Sequence, residues 1–230
     1  MDDAEASRAG GQGGEERSEL RHRLVELVRT RGYTRSAEPF RLSSGGYSRD
    51  YVDLRRAVAG GDELRLAAEA VVAHLDAVGV GFTAIGGMTM GADPVAHAVA
   101  LVTGRRWFSV RKAEKSHGRR RRIEGAELGP GVAVVVFEDT VSTGGSLLDA
   151  LDVVQATGAE VACCCTILDR SRSAGEQFAA RGVRYEALLG YADLGIEPIE
   201  PIEPIEPIEP AGAGQPNGEG TDPAGPAGGG

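Results

Sequence analysis

The stretch Val132-Ala-Val-Val-Val-Phe-Glu-Asp-Thr-Val-Ser-Thr-Gly-Gly-Ser146 decides the fold of this chain. It begins with a run of apolar residues, which is typical of a buried strand in a parallel sheet. The run stops at Glu138 and Asp139, and a loop of small residues then leads into a predicted helix. Because ligands in open α/β sheets bind beyond the carboxyl ends of the strands, the two acids occupy the position expected for a binding site.

The residues of this loop favour a particular ligand chemistry. Residues 140–145 would present backbone N–H groups and hydroxyls at a helix N-terminus, where the partial positive charge favours a phosphate. The acids before them suit sugar hydroxyls better than a phosphate. The combination predicts a ribose-phosphate site, and the alternative is an ordinary strand-to-helix turn with a capped helix.

Two other nucleotide-binding motifs are excluded by their required residues. A P-loop needs G-x-x-x-x-G-K-[ST], but Ala92 and Asp93 follow Gly91 where Lys and Ser or Thr are required. A dinucleotide fold needs G-x-G-x-x-G after its first strand, and the sequence lacks it.

Strands and helices are predicted to alternate along most of the chain. Core strands are predicted at 82–85, 107–110, 132–137, 161–168 and 185–189, the first of them ending at Gly86-Gly87. Helices are predicted from Leu20, over 64–78, from Asp93-Pro94 with Asp93 as the cap, and over 146–157 and 173–181. This order predicts an α/β fold with a central parallel sheet flanked by helices, preceded by a small appendage at 40–42 and 51–54.

Both ends of the chain differ from the middle in composition. Residues 1–17 lack apolar periodicity and are predicted to be a disordered leader. Residues 196–230 comprise five Ile-Glu-Pro copies and a Gly/Ala/Pro-rich run, which predict a disordered, extended tail, with a role in docking a partner as the alternative. Residues 18–195 are therefore expected to form the folded domain.

Charge and cysteine usage narrow the class of protein. The net charge of −9 comes from acids in the two ends, so the near-neutral domain lacks the basic face expected for nucleic-acid binding. No apolar run of about 18 residues is present for a membrane span. Because Cys163, Cys164 and Cys165 are consecutive, they fit neither a disulfide framework nor a CxxC metal site, and a cytoplasmic location is expected.

Four segments together carry a family resemblance. The stretch 132–146 resembles the phosphoribosyl-pyrophosphate (PRPP) signature of type I phosphoribosyltransferases. Residues 40–53 are similar to the F-x-L-x-S-G-x-x-S-x-x-Y motif of orotate phosphoribosyltransferases, and residues 111–117 resemble the R-K-x-x-K-x-H catalytic loop of that family. Residues 168–170 resemble its strand-end Asp-Arg, whose Arg meets the orotate carboxylate. The chain is thus identified as a member of the orotate phosphoribosyltransferase family.

The resemblance implies a fold and a reaction. The fold would be that of type I phosphoribosyltransferases, with a small N-terminal hood mainly at 36–56. The reaction would be Mg2+-dependent transfer of the phosphoribosyl group from PRPP to orotate, giving orotidine 5'-monophosphate and pyrophosphate in UMP biosynthesis. Mg2+ would be held mainly through the substrate, with no certain protein ligand. The resemblance also implies a homodimer with shared active sites and no nucleic-acid or membrane partner.

The resemblance further assigns roles to individual residues. Catalytic roles are assigned to Lys115, His117 and Asp139. The residues assigned to PRPP are Arg111, Lys112, Lys115, His117, Glu138, Asp139, Thr140, Val141, Ser142, Thr143, Gly144, Gly145 and Ser146. Those assigned to orotate are Ser142, Arg170, Ser44 and Tyr51.

Two further segments and several single positions are interpreted in addition to the four motifs. Residues 86–93 resemble the family's pyrophosphate-binding loop, and residues 119–122 are interpreted as an ordinary solvated basic run. The sequence departs from some relatives in lacking basic residues at Ser43, Gly46, Tyr47 and Met90.

Two alternative functions accompany this interpretation. A type I phosphoribosyltransferase for another base is disfavoured by Arg170, because a neutral base needs no carboxylate partner. A non-catalytic nucleotide-binding regulator is disfavoured by Lys115 and His117, which such a protein would not need.

Overall fold

A computed structural model describes residues 3–41, 47–113, 122–171 and 173–196 of the chain, with only the backbone described for residues 3–12 and for Arg41. The described residues belong to one compact unit. Within them, the helices are all too short or too polar to cross a bilayer.

The described part of the chain contains six α-helices and eight strands. The helices are α1 Asp3–Leu27, α2 Leu54–Ala57, α3 Gly61–Ala77, α4 Asp93–Thr103, α5 Gly145–Gln155 and α6 Ala174–Ala180. The strands are β1 Tyr33–Arg41, β2 Tyr47–Val52, β3 Ala84–Met88, β4 Arg106–Val110, β5 Ile123–Gly125, β6 Ala133–Val141, β7 Glu160–Asp169 and β8 Tyr185–Gly190. A π-helical turn, Val28–Gly32, follows α1, and a 3-10 helix, Tyr191–Leu194, follows β8.

A six-stranded sheet with the order β5-β4-β3-β6-β7-β8 forms the centre of the fold. The five strands from β4 to β8 in that order are parallel, so the predicted α/β fold with a central parallel sheet is confirmed. The edge strand β5 is antiparallel to β4 and was not predicted. It has only three residues, Ile-Glu-Gly, and shows no apolar run or alternation by which a sequence pattern could identify it.

The two faces of the sheet are covered by separate apolar clusters. Val135 and Phe137 of β6 pack into the cluster that contains α3 and α4, whereas Val134 and Val136 pack into the cluster that contains α5. The cysteines of β7 follow the same alternation: Cys163 and Cys165 lie in the first cluster and Cys164 in the second. All three are fully buried free thiols, as the sequence predicted for adjacent residues on a covered strand.

The N-terminal appendage is an antiparallel hairpin of β1 and β2 followed by the short helix α2. Asp53 caps α2, because its Oδ1 accepts a hydrogen bond from the Arg56 backbone N–H at 3.1 Å. This hairpin and α2 correspond to the predicted hood.

Two predicted strand ends were wrong. β3 continues through Gly86 and Gly87 to Met88, because neighbouring strands approach so closely that a Cβ at either glycine would collide with a carbonyl oxygen, of Phe108 or Phe137 respectively. Glycines that appear to end a strand in the sequence therefore lie in its centre. β6 likewise continues past the acids to Val141, since β7 supplies pairing partners as far as Asp169.

At both ends, the described structure extends beyond residues 18–195, which were expected to form the folded domain. α1 begins at Asp3, so part of the predicted disordered leader is helical; once the packed turns around Leu24 have formed, each further residue adds one hydrogen bond to an existing helix. At the other end, Ile196 is buried in the core and its N–H donates to the carbonyl of Tyr191 at 3.0 Å. The first isoleucine of the repeat thus belongs to the domain, and residues 197–230 lie outside the described residues.

Candidate functional site

The ends of β6 and β7 place the predicted site residues at one edge of the sheet. Val141 pairs with Asp169, and the backbone N–H of Arg170 donates to the carbonyl of Val141 at 2.8 Å. Since the side chain of Val141 is fully buried, only its backbone is available for the assigned role in PRPP binding. Because β6 ends at Val141 and α5 begins at Gly145, the loop between them comprises residues 142–144.

A cavity of about 270 Å3 lies between the hood and this edge of the sheet. It is lined by Tyr51, Val52, Asp53, Leu54, Arg55, Gly91, Asp139, Thr140, Ser142 and Arg170. Five of these were predicted from the sequence: Tyr51, Asp139, Thr140, Ser142 and Arg170. Residues from distant parts of the chain thus meet in one small volume.

Asp139 lies at the centre of this arrangement. Its Oδ1 accepts a hydrogen bond from the Thr140 N–H at 2.9 Å, and a Cβ at Gly91 would approach the same oxygen to 2.8 Å. Burial raises the pKa of Asp139, while the Thr140 N–H and the positive charge of Arg55 oppose that rise. Gly91 therefore leaves the space that this carboxylate occupies.

Glu138 points to the opposite face of β6, as adjacent strand residues must. Burial, followed by the charge of Asp139, raises the pKa of Glu138 to about 7. The Ser146 side chain and the Leu147 backbone N–H at the start of α5 lower the pKa of its carboxyl group, as does the nearby charge of Lys112. Glu138 is not among the described lining residues of the cavity, so the two acids have different surroundings.

The loop between β6 and α5 has the form expected for binding an anion. Gly144 has a φ of 83°, a left-handed conformation that favours glycine, and it immediately precedes α5. The carbonyl of Thr143 accepts a hydrogen bond from the Gln177 side chain of α6 at 3.4 Å. The first N–H groups of α5 at Gly145 and Ser146 lack partners within the helix, as at any helix start, and can bind a phosphate.

Arg170 follows β7 and lines the same cavity. Its guanidinium carbon lies 5.5 Å from the centre of the Tyr191 ring. Its Nε is buried and has no hydrogen-bond partner among the described residues. A buried donor without a partner is costly, so an acceptor that reached this nitrogen would offset that cost.

The predicted pyrophosphate-binding loop is shorter than expected and comprises residues 89–92. Asp93 does not cap α4 as predicted; its carboxylate instead accepts hydrogen bonds from the hydroxyls of Thr89, at 2.5 Å, and Ser109, at 2.6 Å. The side chain of Asp93 thus ties this loop to β4. The side chain of Met90 is 70% exposed.

The predicted catalytic loop is only partly described. Arg111 follows β4 and lies 3.7 Å from Glu124, as measured between Nη1 and Oε1. Lys112 approaches Glu138 closely enough to influence its pKa. Ser44, Lys115 and His117 lie outside the described residues.

Three residues at or near the site were missed from the sequence. Asp53 and Arg55 line the cavity, and their side chains form an ion pair of 4.0 Å. The capping Asp before a short helical segment was the available signal for both. Arg122 was included in the solvated basic run, yet its side chain is only 24% exposed.

Comparisons with known proteins agree with this geometry. The chain is 42% identical over 182 residues to the orotate phosphoribosyltransferase of Mycobacterium tuberculosis, covering 77% of this chain and 97% of that protein. It is 46% identical over 162 residues to the orotate phosphoribosyltransferase of Streptomyces coelicolor, covering 68% of this chain and 87% of that protein. No family model matches the chain.

Solved structures show the same similarity. The M. tuberculosis enzyme in complex with PRPP superposes with a TM-score of 0.63 at 39% identity, covering 77% of this chain and 99% of that chain. The orotate phosphoribosyltransferase of Aeropyrum pernix gives a TM-score of 0.66 at 27% identity, covering 74% and 95% respectively.

The hooded parallel sheet, with its acidic strand end and glycine loop, is the fold of the type I phosphoribosyltransferases. Within that class, the identities to curated relatives decide the family. The chain belongs to the orotate phosphoribosyltransferase family and is a pentosyltransferase of pyrimidine biosynthesis.

Proposed function

We propose that the cavity between the hood and the sheet is where the phosphoribosyl group of PRPP is transferred to orotate, giving orotidine 5'-monophosphate and pyrophosphate. The observation that carries this assignment is Arg170. Its buried Nε has no partner among the described residues, and it shares the cavity with Asp139 and Ser142. A guanidinium is the side chain best suited to a planar carboxylate such as that of orotate.

The residues around the loop suit the sugar phosphate. The 5-phosphate would accept hydrogen bonds from the backbone of residues 142–146 at the start of α5. Glu138 and Asp139 would accept hydrogen bonds from the ribose hydroxyls. Tyr51 would cover the base from the hood, where its ring packs edge-to-face on Phe40 with the ring centres 5.9 Å apart.

The reaction requires positive charge near the leaving group. Negative charge grows on pyrophosphate as its bond to the ribose anomeric carbon breaks and the N1 atom of orotate forms the new bond. Preorganised cations at such a position are usually the largest contribution to catalysis. Arg111, Lys112, Lys115 and His117 are proposed to supply this charge, with Lys115 the most important in the transition state.

Mg2+ is proposed as the cofactor, held mainly through PRPP. In the described ranges, no three His, Cys, Asp or Glu side chains lie close enough together to hold a metal ion. Mg2+ commonly takes most of its ligands from substrate oxygens and water, so Glu138 and Asp139 are proposed to bind the ribose hydroxyls instead. When bound, Mg2+ would neutralise charge on the pyrophosphate.

We further propose that the chain works as a homodimer in the cytoplasm. Three large apolar side chains are exposed near or on α4 and β4: Met90, Leu101 and Trp107. Trp107 packs against His97, which is one helical turn from Leu101, so Trp107 and Leu101 lie on the same side of α4. Exposed apolar side chains there support burial against a second copy. Light scattering should give twice the chain mass of 23.9 kDa, and a monomer would contradict the dimer.

The reaction itself is tested by the absorbance of orotate. Purified chain mixed with orotate, PRPP and Mg2+ is expected to consume orotate, whereas uracil, hypoxanthine and adenine in parallel mixtures are expected to remain. Each parallel mixture serves as the control for base selection. Consumption of another base instead of orotate would overturn the role of Arg170, and consumption of none would favour a non-catalytic regulator.

A further inference from the structure

Arg122 joins the two ends of the segment that begins at Arg111. The N–H of Arg111 donates to the carbonyl of Arg122 at 2.7 Å, and Nε of Arg122 donates to the carbonyl of Arg111 at 2.9 Å. The hairpin formed by β4 and β5 therefore extends by one further pair of residues. Arg122 closes this pair with its side chain as well as with its backbone.

The same guanidinium also reaches Lys112 and α5. Its Nη2 donates to the carbonyl of Lys112 at 3.3 Å and to Oδ2 of Asp149 at 2.9 Å. Its Nη1 lies 3.4 Å from Oδ1 of Asp149. Three separate groups are thus held by one rigid, planar fork, which an ammonium group cannot reproduce.

Asp149 belongs to the helix that begins at the sugar-phosphate loop. α5 starts at Gly145, and Ser146 and Leu147 in the first turn of that helix lower the pKa of Glu138. Lys112 lies close enough to Glu138 for their charges to interact. Fixing the backbone of Lys112 to α5 therefore fixes where its ammonium group can reach relative to Glu138.

We propose that Arg122 is a positioning residue, which holds the backbone of Lys112 against α5 so that the Lys112 ammonium faces the sugar-phosphate site. The proposal rests on the proposed function, since it takes Lys112 as a PRPP-binding residue. It changes the interpretation of Arg122 from a solvated charge to a partly buried link between two parts of the site.

The test compares Arg122 with a second arginine that pairs with the same helix. Arg181 forms an ion pair with Asp152 of α5, and both of these side chains are about half exposed. Arg122→Ala is expected to lower kcat/KM for PRPP about tenfold, as for the loss of a hydrogen bond to a charged group, with KM for orotate unchanged. Arg181→Ala is expected to leave both constants unchanged.

Four further variants separate positioning from general support of the fold. Arg122→Lys should not rescue the activity, because Lys cannot hold all three groups. Asp149→Asn should lose activity in the same direction as Arg122→Ala, whereas Asp152→Asn should not. In a Lys112→Ala background, Arg122→Ala should cause little further loss, since interacting residues are not additive. A full further tenfold loss in that background would overturn the proposal.

The outcome is distinguishable from a failure of the proposed function. An unchanged protein that consumes no orotate would contradict the proposed function. An active unchanged protein, with Arg122→Ala and Arg181→Ala giving equal kcat/KM for PRPP, would overturn only the positioning role. Thermal unfolding of every variant identifies any that lose activity by failing to fold.

Discussion

Lys115→Ala is expected to lower kcat by about 100- to 1,000-fold, the usual effect of removing one preorganised group that stabilises transition-state charge. The resemblance places Lys115 in the R-K-x-x-K-x-H loop, and its ammonium would stabilise the pyrophosphate as it leaves. Because the interaction strengthens mainly in the transition state, the dissociation constant for PRPP should change little. Steady-state kinetics and calorimetric PRPP binding measure the two effects separately.

The matched control is Arg119→Ala. This substitution removes one positive charge from the same segment, but Arg119 falls outside the motif. The kcat of the variant should therefore stay close to that of the unchanged chain. Equal losses from the two variants would show that only the net charge of the segment matters. An unchanged kcat for Lys115→Ala would remove this residue from the mechanism.

Arg170→Leu is expected to lower kcat/KM for orotate by about 100-fold, the range found when one partner of a buried charge pair is removed. The physical reason is the loss of the guanidinium that is proposed to pair with the orotate carboxylate. Arg170 lines the cavity beside the Tyr191 ring, and its buried Nε has no partner among the described residues. PRPP binding should be retained, since the loop at residues 142–144 is untouched. The measurement is initial rate against orotate concentration at saturating PRPP.

Arg105→Leu provides the control for this variant. Arg105 also stacks on an aromatic ring, that of Phe82 at 4.0 Å, and has a buried nitrogen without a partner among the described residues. It does not line the cavity. A loss of orotate affinity confined to Arg170→Leu would support direct contact with the base, whereas a similar loss from Arg105→Leu would assign both effects to the fold.

Much of the fold could be predicted because the central strands are strongly apolar. The continuous apolar runs at Val132–Phe137 and Val161–Leu168 predict strands that are buried on both faces. Such strands are typical of a parallel sheet covered by helices on both sides. The ends of the strands were harder to predict, since they depend on pairing with neighbouring strands. Two consecutive glycines, Gly86 and Gly87, suggest a turn in the sequence. In the structure, β4 and β6 lie so close to β3 that only glycine fits at these two positions in the strand.

The site residues could be predicted where a short local motif contains the residue types that the ligand requires. Asp139 lies near the end of β6, and Ser142 and Arg170 follow β6 and β7, so topology alone brings them to the same edge. Arg55 was missed because its place depends on how the hood folds over that edge, and the capping Asp53 signals the helix but not this contact. Arg122 was missed because its partner, Asp149, is 27 residues away, on a helix whose exposed face looks ordinary in sequence.

The cysteines of β7 give the chain an internal reporter of unfolding. Burial raises the pKa of Cys163 to about 12 and also raises the pKa values of Cys164 and Cys165, so very little of the reactive thiolate forms in the native state. A thiol reagent can therefore modify the chain only while β7 is separated from its neighbours. The labelling rate then measures how often the centre of the sheet opens, without any introduced probe.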